Sequence, residues 1–188
     1  MRKIVITGVA LMCVAGSAIA LASNSRASSI REFLTGLKEV PVVSTTGHGT
    51  FHAEIDDDAQ EIRYTLTFAD LEGDVRQSHI HIAPAQNSGN IMLWLCQTAA
   101  NPSPVATTPQ CTNVADPGSA RANTVTGVLT GADIVASAAA NGVAAGEFAE
   151  AVALIRAGLT YVNVHSAKFP PGEIRSQIEH GGHNPGSK

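Results

Sequence analysis

The tightest constraint in this 188-residue chain is a pair of short segments in which apolar and polar residues alternate. One runs Ser78, His79, Ile80, His81, Ile82, and the other runs Tyr161, Val162, Asn163, Val164, His165. A period of two belongs to a β-strand, whose successive side chains point to opposite faces of a sheet. Ile80, Ile82, Val162 and Val164 are therefore expected inside, with His79, His81, Asn163 and His165 outside. Residues 172–178 repeat the pattern, with Ile174 and Ile178 inward and Glu173, Arg175 and Gln177 outward. Placed in one sheet, these strands collect three imidazoles, an amide, a carboxylate and a guanidinium on a single outer surface.

The rest of the chain supplies more strands. Residues 61–68 place Ile62, Tyr64, Leu66 and Phe68 on one face, and residues 50–55 do the same with Phe51, Ala53 and Ile55. Residues 32–37 and 123–129 also read as strands, and residues 91–95, apolar on both faces, read as a central one covered on both sides. Residues 97–120 carry four of the nine prolines and no hydrophobic period, which is a long loop. Thr130 and Asp133 have the spacing of a capping box, so a short helix is expected through Ala140. A second is expected near residues 147–157, burying Phe148, Val152 and Ile155. Only 4% of residues are aromatic and 15% charged, which suits a β-rich domain better than a helical bundle. The expected fold is all-β: a Greek-key-like antiparallel β-sandwich of about eight strands with one or two short inserted helices.

Met1, Arg2 and Lys3 precede an apolar run that ends in small residues, so residues 1–22 read as a secretory signal peptide. Residues 23–29 are then a polar lead-in, 30–179 the domain, and 180–188 a Gly-rich flexible tail containing His180 and His183. Export, to the periplasm or the outside of the cell, follows from that reading, with no membrane span in the mature chain. In an oxidising compartment Cys96 and Cys111 are expected to form a disulfide. Closing a loop of about 15 residues stabilises a fold by roughly 3 kcal/mol in the chain-entropy model. A net charge of −4 without a basic patch gives no basis for nucleic-acid binding. No nucleophile elbow, phosphate loop or dinucleotide fingerprint is present. The default oligomeric state is a monomer.

Residues 37–42, the His79 to His81 strand with Asn87 to Asn90 behind it, and the run from Tyr161 to Ser166 leading into residues 171–178 together resemble the CHRD domain. That module occurs as repeats in chordin and as single secreted domains in bacteria, and the resemblance covers about residues 30–179. The chain departs from the family's usual glycines at Ala83 and Ser176. In chordin the modules belong to an extracellular antagonist of growth factors, a role that a shared fold does not transfer.

The polar surface admits two chemical readings. His79, His81 and His165 form the three-nitrogen set that suits copper or zinc, with Asn163 or Glu173 orienting a ligand ring. Alternatively, the same residues form a structural hydrogen-bonded network that sets strand register, with Glu173 and Arg175 as an ion pair. Convergence of the three imidazole nitrogens to within roughly 4 Å separates the two. The His-x-His strand is locally similar to one in Cu/Zn superoxide dismutase, but that enzyme's bridging histidine and ligand loop are not recognisable. The reading ranked first is a non-enzymatic extracytoplasmic binding module that uses this face or the 97–120 loop to engage a protein or surface ligand. A metal-binding protein with a copper or zinc centre comes second, catalytic only if a coordination position stays open, and a structural envelope domain third.

Overall fold

The computed structural model describes residues 28–113 and 115–179, so the expected leader, most of the lead-in and the tail lie outside the described residues. Eight strands follow in chain order: β1 (Ser28–Thr35), β2 (His48–Asp56), β3 (Glu61–Ala69), β4 (Val75–Ile82), β5 (Asn90–Cys96), β6 (Asn123–Thr130), β7 (Thr160–Ser166) and β8 (Ile174–Gln177). They form one antiparallel sheet in the order β5-β4-β7-β8-β1-β2-β3-β6. The sheet folds over on itself into a sandwich-like body. Strand β5 at one end comes close enough to β3, the last strand but one at the other, for the Tyr64 hydroxyl to donate to the Leu95 carbonyl at 2.5 Å.

The expected inward rows make the core. Phe51 and Ile55 of β2, Ile62, Leu66 and Phe68 of β3, Ile80 of β4, Val162 and Val164 of β7 and Ile174 of β8 are all buried. Burying each such side chain contributes roughly 1.5–3 kcal/mol, which makes this face the main source of stability. The helix α1 (Phe148–Arg156) adds Phe148, Ala151, Val152 and Ile155 at helical spacing. Arg156 donates to Asp57 at 2.7 Å, tying α1 to the turn between β2 and β3.

Four expectations change. Strand β1 begins at Ser28, inside the expected lead-in, and stops at Thr35, because Gly36–Lys38 closes into a 3-10 turn. The segment after β6 is not one helix: its capping box starts a 3-10 turn (Gly131–Asp133), and a second 3-10 turn follows (Ala136–Asn141). Ile134 and Val135 are extended between them, because their apolar side chains are buried and Val135 N–H is used by Met92 O. Strand β5 is not central but stands at the end of the sheet. Its free carbonyls are taken by Val135 N–H and by the Ser137 hydroxyl, which donates to Ile91 O at 2.7 Å, so the edge is covered rather than paired. Loop 97–120 is also better ordered than its composition suggests. Cys96 and Cys111 form the expected disulfide at its start, Gln97 bonds to Thr108 O and Ser103 N–H, and Asp116 caps a 3-10 turn (Pro117–Ala120).

The departure at Ser176 has a local reason. Its hydroxyl donates to Glu32 Oε2 and accepts from Lys38 Nζ, both at 2.9 Å, joining β8 to β1 and to the segment that follows it. Among the described residues no helix is long and apolar enough to cross a membrane.

Candidate metal centre

Register puts the polar residues together. Strands β4 and β7 pair so that His79 faces Asn163, His81 faces Tyr161 and Gln77 faces His165. Strands β7 and β8 pair Asn163 with Arg175 and Tyr161 with Gln177, while β5 sets Trp94 opposite His79. Cross-strand partners share a face, so His79, His81, Tyr161, Asn163, His165 and Arg175 all project from the side opposite the core.

That side is not the open surface expected from the alternation. His79 is 0% exposed, Asn163 and Arg175 2%, His165 6% and His81 7%. Loop 83–89 covers the face from one direction, its Gly89 carbonyl on His81 Nδ1 at 2.9 Å and its Asn87 carbonyl on Arg175 Nη2 at 2.9 Å. The turn between β7 and β8 covers it from another, with the Pro170 carbonyl on His165 Nδ1 at 2.9 Å. The face is a second buried layer, and a polar one.

The protons in this layer can be counted. A carbonyl only accepts, so His81 and His165 each carry their proton on Nδ1, leaving Nε2 of both as bare lone pairs. His165 Nε2 faces His79 Nδ1 at 3.2 Å and Asn163 Oδ1 at 3.0 Å. His81 Nε2 and His79 Nε2 are buried with no partner. Whichever nitrogen of His79 is protonated, neutral rings leave more lone pairs here than hydrogens to meet them. Turning the Asn163 amide would offer its hydrogens to His165 and to His81, which Asn163 also meets, but would still leave His79 Nε2 without a partner. A proton on His165 is opposed by burial, which holds that ring below its usual range. Burial, helped by the neighbouring rings, pushes His79 down too, and burial takes His81 down to about 4.

Excess buried lone pairs suit a cation other than a proton. Nitrogen atoms, one from each ring, lie within 4.8 Å of one another. A metal bound tetrahedrally at about 2.0–2.1 Å sets its nitrogens about 3.3 Å apart. The His79 and His165 pair already has that spacing, while the full 4.8 Å envelope is wider than the roughly 4 Å of a closed site. Carbonyl bonds at the far nitrogens, as on His81 and His165, are the usual way of fixing a ligand ring's tautomer and aim.

Two expected partners take other places. Glu173 is fully buried but serves the loops beside the site: its Oε1 accepts from the Thr45 hydroxyl and from Glu72 N–H, each at 2.7 Å. It orients no histidine, because its position precedes β8 and its side chain is taken up by the turns at residues 45–47 and 72. Nor does it pair with Arg175, whose guanidinium lies over the Tyr161 ring at 3.4 Å, and Tyr161 in turn stacks on His81 at 4.7 Å with 1° between planes. The carboxyl next to the site is Glu39, from the segment after β1. Burial pushes it up to about 7, against the opposing pull of Arg175 and a hydrogen bond with Asn163. Gly172, at φ 146°, makes room for that contact, since a Cβ there would collide with Glu39 and crowd the Asn163 amide.

Tyr161 has the same parity as Asn163 and His165, so the alternation does assign it to this face. Trp94, whose ring meets His79 edge-on at 4.2 Å, was hidden in an all-apolar run. Glu39 lies outside every strand, and no periodicity points to it. Glu39 and Arg175 also line a cleft of about 470 Å³ with Leu37, Lys38, Ser176 and Gln177.

A family model described as the CHRD domain matches residues 31–178. None of the curated proteins and none of the solved structures compared with the chain matches it.

Proposed function

The chain belongs to the CHRD domain family, and from that premise we propose that it is an exported metal-binding domain whose centre is His79, His81 and His165, with copper or zinc as the ion. The observation that carries this reading is the surplus of buried lone pairs: two rings have their hydrogens locked outward onto carbonyls, and Nε2 of His81 and of His79 has no partner. A register-setting network would need donors at those atoms, and such atoms left unmet cost about 1–3 kcal/mol each. Asn163 orients the His165 side of the centre, Trp94 and Tyr161 wall it, and the Glu39 carboxyl meets it through Asn163. The buried disulfide fits an exported protein.

The test is equilibrium dialysis of the tag-free protein against copper or zinc, followed by elemental analysis. Wild type should retain close to one metal per chain and a His79→Ala/His165→Ala variant almost none. Equal retention by both would place any metal elsewhere, for example at His180 and His183.

A second reading, a binding module for an extracytoplasmic partner or surface ligand, is favoured by the cleft at Glu39 and Arg175. Loop 97–120 supports it less: among the described residues, the large exposed apolar side chains are Phe33, Leu37, Val42, Val128 and Leu159, all outside that loop. Leu37 rims the cleft. Leu37→Asp should abolish partner capture without altering metal content if the cleft is the docking site.

A further inference from the structure

We propose that the centre selects copper in its monovalent state over divalent zinc or copper, an inference that rests on the metal reading and narrows it. The argument is one of charge. Every donor facing the site is neutral: three imidazole nitrogens and the Asn163 amide oxygen. Among the described residues no carboxylate or thiolate belongs to the ligand group: Glu173 lies outside it, with its Oε1 on Thr45 and Glu72, and the sulfurs of Cys96 and Cys111 are joined. The cationic side chains around it oppose any cation, and a divalent one about twice as strongly as a monovalent one. Arg175 stacks on Tyr161, which stacks on His81, and Arg76 bears on His165. The Glu39 carboxyl beside the site acts at one remove through Asn163.

The cost of placing an ion in a poorly polarisable site grows with the square of its charge, so a divalent ion costs about four times what a monovalent one does. Zinc sites usually meet that cost with thiolate or carboxylate ligands, or with a bound water at an open position. Three imidazoles under a covered face, with a guanidinium in the same stack, offer no such anion. They suit an ion of single charge that imidazole binds well and that is content with three ligands, which is monovalent copper.

Competition titrations test this on the whole tag-free protein, with bicinchoninate for monovalent copper under ascorbate without oxygen, and a zinc-sensing dye for zinc. Imidazole in the same buffer is the reference, because it carries the intrinsic preference without the buried charge. The protein should exceed imidazole's preference for monovalent copper over zinc by more than about a hundredfold. Glu39→Gln should weaken zinc by a further tenfold or more while changing monovalent copper by less than about threefold. A preference no greater than imidazole's, or equal losses for both ions in Glu39→Gln, overturns the charge argument and leaves the metal reading intact. Failure of His79→Ala to weaken either ion overturns both.

Discussion

One sheet presents two differently treated outer faces. On β2 and β3 the side chains opposite the core, such as His52, Glu54, Arg63 and Thr65, stand half or fully in water. On β4, β7 and β8 the same alternation yields His79, His81, Asn163, His165 and Arg175, all buried under loops. Alternation places polar residues on the outside of both halves, but only one half goes to the expense of covering them. Solvated polar residues on β2 and β3 need no explanation beyond solubility. Covered ones lose their water and must recover that free energy from partners, and the partners present are too few in hydrogens. The contrast is what favours the metal reading of the covered half.

The largest expected effect breaks the contrast by removing ligands. His165→Ala should weaken metal binding by at least about a thousandfold, beyond the roughly 10–100-fold that loss of an outer partner costs. His52→Ala, the matching change on the solvated half, should leave affinity unaltered; metal competition measures both.

Acid sharpens it next. The unfolded chain protonates histidine near 6.5, whereas folded His81 resists until about 4 and His79 and His165 are depressed too. Between those values the unfolded state binds more protons, so the metal-free fold loses stability as pH falls from about 6.5 toward 4. His81 alone accounts for about 3 kcal/mol of that loss. Denaturant titrations across that range should show the decline, and His81→Gln should flatten it.

Glu39 acts with the opposite sign. Its folded pKa is raised from 4.5 to about 7, so the folded state binds the extra proton in that window and stability falls as pH rises through it. Glu39→Gln should therefore stabilise the metal-free protein at pH 8 by about 1–3 kcal/mol, read by urea midpoint. The smallest effect is the control: His52→Ala should shift stability by no more than about 0.5 kcal/mol.

Much of this was legible in the residues. Period-two runs located the core strands and put His79, His81, Asn163 and His165 on one face, because side-chain parity is a property of the strand alone. Cysteine count and compartment pointed to the Cys96 and Cys111 disulfide. What parity does not encode is what lies over a face. The cover comes from turns distant in sequence, whose Gly89 and Pro170 carbonyls carry no side-chain signature. For the same reason parity assigns Glu173 to the site and gives no sign of Glu39. The former is drawn away by Thr45 and Glu72, while the latter is delivered by a segment with no period and admitted by the missing Cβ of Gly172. The apolar run of β5 suggested a central strand because burial was read as pairing, whereas its edge is covered by Val135 and Ser137.

The most direct measurement is X-ray absorption at the metal edge of the loaded, tag-free protein. Three imidazole nitrogens at about 2.0 Å, lost in His79→Ala/His165→Ala, are expected. An oxygen-dominated shell, a spectrum unchanged in that variant, or a protein that retains no metal to measure would contradict a centre at His79, His81 and His165.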